Sequence, residues 1–112
     1  MPYKDRRKQK QAQAAWYQKN KEAIHQRRSY QKSVARQWVY EYKTNNSTCV
    51  ECGVDYPPHV LDFDHVGDKS FGISRALQNG MALDRIKEEV KKCEIVCSNC
   101  HRERTYMRSQ NS

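Results

Sequence analysis

The sequence predicts an α+β chain: a basic helical arm over residues 1–45, then a small cysteine-stapled domain over residues 46–112. Three observations predict it. Residues 3–43 hold no Gly and no Pro and are rich in Gln, Lys, Arg and Ala, which favour helix. The charge is split, with twelve Lys or Arg against three Asp or Glu in residues 1–45, and nine against ten in the remainder. Four of the five cysteines form two Cys-x-x-Cys pairs, Cys49/Cys52 and Cys97/Cys100.

In the arm, Asn20 reads as a break that caps a second helix with Glu22 in its first turn. The expected helices run over residues 4–19 and 21–43. In the second, Tyr30, Val34, Trp38 and Tyr42 recur every four residues with Val39 beside them. That stripe packs on the following domain or on a second copy. The first helix has only Ala12, Ala15, Trp16 and Tyr17 to bury.

Residues 44–48 form a polar linker, and Cys49–Gly53 has the form of a metal knuckle. After the rigid Tyr56-Pro57-Pro58 turn, residues 60–64 alternate. Leu61 and Phe63 take the buried face and Asp62 and Asp64 the solvent face of a strand that ends at His65-Val66-Gly67. Ser74 can cap a short helix stopping at Gly80. Leu83, Ile86 and Val90 mark a helix over 83–91. Glu94–Val96 reads as a second strand and residues 99–107 as a last helix, with a frayed tail over 109–112.

At 112 residues, with 37% hydrophobic and 30% charged, the chain holds one small domain and an appendage. Its core needs a staple. No apolar run approaches the ~18 residues of a membrane span, and the N-terminus lacks the apolar stretch of a secretory signal. The expectation is a cytoplasmic protein with no membrane partner. The asymmetric charge predicts a polyanionic partner, most often nucleic acid, with Arg6, Arg7, Arg27 and Arg28 as candidate contacts. The competing reading is a merely soluble basic helix.

The two cysteine pairs have the spacing of a structural, four-cysteine Zn²⁺ site with no open position; a redox pair or free thiols are the alternative. Cys93 reads as a small buried residue, a spare ligand or a cross-linking thiol. His101 directly follows Cys100, and Asp64-His65 ends the first strand. A carboxylate and an imidazole can share a divalent cation, and a second imidazole can act as a base, which are the parts of phosphodiester cleavage. Asp64 as a cap and His65 as a turn residue remain open. His101, Arg104 and Arg108 share one helix face. Arg108 can grip a phosphate and Arg104 can neutralise developing charge, against the reading of a solvated face. His25 and His59 read as surface residues, and nothing in the spacing demands a role for Lys69.

Cys49-x-x-Cys52, Leu61-Asp62-Phe63-Asp64-His65 and Cys93-Glu94-Ile95-Val96-Cys97-Ser98-Asn99-Cys100-His101-Arg102 together resemble the HNH endonucleases. They look most like the small zinc-containing HNH proteins of tailed bacteriophages, over residues 47–106. The resemblance implies a ββα-metal fold, with His65 as general base and Asp64 and His101 holding a catalytic Mg²⁺ or Mn²⁺; Ni²⁺ or Co²⁺ also suits these donors. The family's middle residue, usually Asn, falls where this chain has Lys92-Cys93, and Asn99 is the nearest candidate. The implied activity is nicking of double-stranded DNA to 5′-phosphate and 3′-hydroxyl ends, with a homodimer or a second event for a double-strand break. Phage packaging machinery is a further implied partner, in the host cytoplasm. The runner-up reading is a non-catalytic zinc-ribbon DNA-binding protein, and a third is an RNA nuclease or RNA-binding protein.

Overall fold

The computed structural model describes residues 6–110. Its elements are α1 (Arg6–Asn45), a 3-10 turn (Pro58–Val60), β1 (Leu61–His65), α2 (Ile73–Gln78), α3 (Leu83–Val90), β2 (Cys93–Cys97) and α4 (Ser98–Gln110). The fold is α+β, as expected. The expected start of the first helix at residue 4, and residues 111–112 of the tail, lie outside the described residues. No helix among the described residues is long and apolar enough to cross a membrane.

The expected break at Asn20 is absent, and α1 runs unbroken. The Asn20 side-chain amide instead donates to the Trp16 carbonyl at 2.7 Å, four residues back, so it satisfies the helix rather than capping a new one. Without Gly or Pro nearby, one Asn does not end a helix. The chain divides into two units, Met1–Tyr30 and Gln31–Ser112. In the first, Trp16 and Tyr17 are exposed, and the Tyr17 hydroxyl lies 3.3 Å from His25 Nε2. Arg6, Arg7, Arg27 and Arg28 all lie exposed on the helix.

In the second unit the last turns of α1 supply Ala35 and Val39 to a core completed by Ile73 and Ala76 of α2 and Ile86 and Val90 of α3. Trp38 and Tyr42 flank it, so the stripe packs inside its own chain; Tyr30 is exposed and takes no part. Helix α2 begins after Gly72 with no side-chain cap, so Ser74 lies inside the helix rather than before it. Gly80 adopts φ +69°, a conformation that costs a side-chain-bearing residue energy. The Gly80 amide donates to Leu77 O and the Met81 amide to Ala76 O, which closes α2 as expected. Helix α3 buries Ile86 and Val90 and half-buries Leu83.

Strands β1 and β2 pair antiparallel, with Leu61 opposite Cys97, Asp64 opposite Glu94 and His65 opposite Cys93. The strand ends at His65, as expected. The acidic face, however, is not left to solvent: α4 packs on both strands, and Asp64 is 2% exposed. Burial of Leu61 follows the expectation.

Candidate metal centre and adjoining cleft

The knuckle is built by backbone hydrogen bonds. The Gly53 amide donates to Cys49 O at 2.9 Å, and Gly53 takes φ +72°, which turns the chain after the second cysteine. The Cys49 amide donates to Val54 O, and the Val50 amide to Ile95 O, which fastens the knuckle to β2. The second pair sits where β2 passes into α4. The Sγ atoms of Cys49, Cys52, Cys97 and Cys100 all lie within 4.8 Å of one another. Four sulfurs about 2.3 Å from one tetrahedral ion require this closeness. Each knuckle also turns an amide onto its first sulfur: Cys52 N–H to Cys49 Sγ at 3.5 Å, and Cys100 N–H to Cys97 Sγ at 3.4 Å.

The thiols titrate unevenly. Burial pushes Cys49 up, but amide hydrogen bonds from Cys52, Cys97 and Glu51 more than reverse it and hold it at about 6. The Cys100 amide likewise lowers Cys97. Cys100 is pushed up to about 12, first by its hydrogen bond with Cys97 and then by burial. Four thiolates this close repel one another, and a dication relieves the repulsion. The four cysteines are positioned to hold a metal. Among the described residues they are the one group of three or more His, Cys, Asp or Glu side chains close enough to do so. Cys93 stands apart, half-buried, its thiol donating to Glu89 O at 3.5 Å. Burial and the nearby Glu89 push it up to about 11, so it stays a thiol.

Because Cys100 is fixed in the first turn of α4, so are His101, Arg104 and Arg108 beyond it. All three reach Asp64. His101 Nε2 lies 3.7 Å from Asp64 Oδ1. Arg108 grips both Asp64 oxygens, at 2.8 and 2.7 Å, and Arg104 Nη1 donates to Oδ2 at 2.8 Å. The Arg108 hydrogen bonds, helped by Arg104 and His101 against the effect of burial, hold the Asp64 carboxyl down at about 2. Arg104 also donates to Glu94 at 3.0 Å and to Glu51 at 2.8 Å. It thereby joins β1, β2 and the knuckle. His101 Nδ1 lies 3.0 Å from Asp62 Oδ2. A carboxylate only accepts, so Nδ1 carries the hydrogen, which leaves Nε2 as the ring atom turned toward Asp64.

His65 turns the other way, as strand alternation requires. Its Nε2–H donates to Glu89 Oε2 at 2.9 Å, because that acceptor too is a carboxylate. Glu89 Oε2 also accepts the amides of Ser70 at 2.9 Å and Phe71 at 3.5 Å, and Oε1 pairs with Lys92 Nζ at 3.0 Å. Burial pushes Glu89 up, but Lys92, the Ser70 amide and His65 overcome it and hold the carboxyl at about 2. The loop after β1 is pinned further by Val66 N–H to Lys92 O and by Lys92 Nζ to Ser70 Oγ, both at 3.0 Å.

Asp62, Asp64, His65, His101 and Arg108 line one cleft of about 1160 Å³. Compared with known proteins, the chain matches no family model, no curated protein and no solved structure.

Asn99 is exposed at the start of α4 and is absent from the cleft lining. The loop after β1 is held instead by Glu89 and Lys92. Two residues that sequence reasoning passed over are therefore central. Glu89 sits three residues after Ile86, on the buried stripe of α3, and a carboxylate at such a position signals a buried partner. Asp62 shares the strand face of Asp64, two residues before it.

Proposed function

We propose that the protein is a zinc-stapled, metal-dependent endonuclease of HNH type that nicks double-stranded DNA. One observation supports this most directly. His101 Nε2 faces Asp64 Oδ1 at 3.7 Å while Nδ1–H is fixed by Asp62, as in a metal-binding imidazole oriented by a carboxylate. The antiparallel β1–β2 pair with α4 packed on it agrees with a ββα-metal unit. The thiolate quartet suits Zn²⁺, whose four ligands leave no position for chemistry.

Asp64 Oδ1 and His101 Nε2 are the donors for a divalent ion, with Mg²⁺ or Mn²⁺ first among hard, oxygen-preferring cations. Such an ion supplies charge neutralisation at the phosphoryl oxygens and leaving oxygen. Asp64 would be shared between such an ion and Arg108, whose guanidinium lies at both carboxylate oxygens and could also reach a phosphate. At the end of β1, in the same cleft, Glu89 holds His65 by Nε2–H and leaves Nδ1 as the proton acceptor for the attacking water. Lys92 and the Ser70 and Phe71 amides keep Glu89 ionised, so the imidazole keeps this tautomer. The basic arm supplies sequence-tolerant phosphate contacts.

A second reading has its own observation. Both Asp64 oxygens are already held by guanidinium groups, as in a structural ion cluster, which favours a non-catalytic zinc-ribbon DNA-binding protein. Nicking of supercoiled plasmid by purified protein, with added Mg²⁺ or Mn²⁺, separates the two. The nuclease reading expects His65→Ala to keep fold and bound zinc while losing roughly 10²–10⁴ in rate. No nicking by wild type, or wild-type nicking by His65→Ala, overturns it.

A further inference from the structure

The charges that line the cleft do not balance. Asp62 is engaged by His101, and Asp64 by Arg104 and Arg108. Among the described residues, the lining cations Lys43, Lys69 and Arg75 have no carboxylate within ion-pair distance. They come from three places: the last turn of α1, the loop after β1, and α2. Lys43 is the most constrained. Its ammonium sits 5.1 Å from the centroid of the Phe63 ring, and Phe63 is flanked in β1 by Asp62 and Asp64. Burial lowers its pKa, opposed by Asp62. Lys69 stretches over Gly72, where even a methyl group would come within 3.9 Å of its Cε and Nζ.

A half-buried ammonium without a counter-ion is costly. A cleft wall with three unpaired cations concentrates positive potential. Such a wall is relieved by an anion with several separated charges, one near each cation. A single small anion can meet only part of it.

We infer that Lys43, Lys69 and Arg75 form a backbone-phosphate subsite that holds a DNA strand beside Asp64 and His101. This rests on the proposed function for the identity of the polyanion, and on the cleft geometry for the site. Phe63 acts as the platform that keeps the Lys43 ammonium at the depth of the strand. Lys43 belongs to the same unit as the cleft, so the contact is distinct from those of the exposed arm residues before Gln31.

The experiment is equilibrium binding of a fluorescently labelled DNA duplex to the full-length protein across a salt series. Lys43→Met keeps the alkyl stem over Phe63 and removes only the charge; Lys69→Gln and Arg75→Gln do the same at exposed positions. Each is expected to weaken binding and lower the slope of log K against log salt by about 0.9, the value of one lost phosphate contact on duplex DNA. Lys91→Gln, whose ammonium pairs with Glu88 at 2.9 Å, is the control and leaves the slope unchanged. Should Lys43→Met not fold, the two exposed variants decide. Slopes that stay at the wild-type value overturn the subsite. So does displacement by inorganic phosphate with unchanged DNA slopes, which marks a small-anion site. Reduced slopes in a protein that never nicks keep the subsite and remove the nuclease; nicking with unmoved slopes does the reverse.

Discussion

Replacing Arg104 by Gln tests whether this residue holds the domain together or meets substrate. Its guanidinium bridges Glu51, Asp64 and Glu94 at 2.8, 2.8 and 3.0 Å. Glu51 and Glu94 are 55% and 43% exposed, so each of those pairs contributes only about 0.5 kcal/mol. The Asp64 side chain is buried, and losing one of its cations costs more. It is not stranded, however, because Arg108 still grips both oxygens. The loss there is about 1–2 kcal/mol rather than the ~3–5 of an orphaned buried charge. Asp64 and Glu94 also face each other across the strands, where like charges repel once the bridge is gone. The expected loss is about 2–3 kcal/mol, a drop in Tm of roughly 10–20 °C for a domain this small. Thermal unfolding at pH 7 with saturating zinc reads it, alongside plasmid nicking well below both transitions. Arg104→Lys is expected to fall between, since one ammonium cannot span three carboxylates. A Tm unchanged in Arg104→Gln would falsify the bridging argument. If nicking also vanished, Arg104 would be a substrate contact.

Cys49→Ser is expected to bind no zinc and to lose the fold of the second unit, read by metal content and circular dichroism; a zinc-free variant that melts like wild type would show that the staple is dispensable. Asp64 has a folded pKa of about 2 against an ordinary 3.8, so its share of stability is present above pH ~4 and lost as pH falls through about 2. That share is on the order of 2 kcal/mol, and Arg108→Gln, which removes the largest cause of the depression, should shift the acid midpoint upward relative to wild type. Lys10, Lys19 and Lys21 changed together to Gln should flatten the salt dependence of DNA binding by nearly three units of log–log slope. An unmoved slope there would mean that the arm faces something other than DNA.

Much of the fold was legible because it rests on strong local signals. The paired Cys-x-x-Cys spacing marked the quartet. The Leu83, Ile86, Val90 stripe marked α3, and alternation around Phe63 marked β1. What escaped depends on partners remote in sequence. Asp64 looked solvent-facing because nothing within β1 reveals that Arg104 and Arg108 return to cover it. Glu89 looked like one more charge in Lys87-Glu88-Glu89-Val90-Lys91-Lys92, although its place three residues after Ile86 put it on the buried side. Asn20 and Ser74 carried capping chemistry, but neither residue's side-chain preference outweighed helix propagation through it. In the cleft, the common face of His101, Arg104 and Arg108 followed from helix spacing, but its return onto Asp64 did not. The dependence of His65 on Glu89 did not, because it joins residues 24 apart.

The quartet has a consequence for synthesis. Its first two sulfurs leave the ribosome early, and the 44 residues between Cys52 and Cys97 must follow before the second pair can close the ring. Two thiolates alone form only half a site, so the quartet cannot close until Cys97 and Cys100 are made. The same pair lies at the start of α4, which carries His101 and Arg108 to Asp64. A chain terminated before Cys97 therefore lacks both the latch and the groups that complete the cleft.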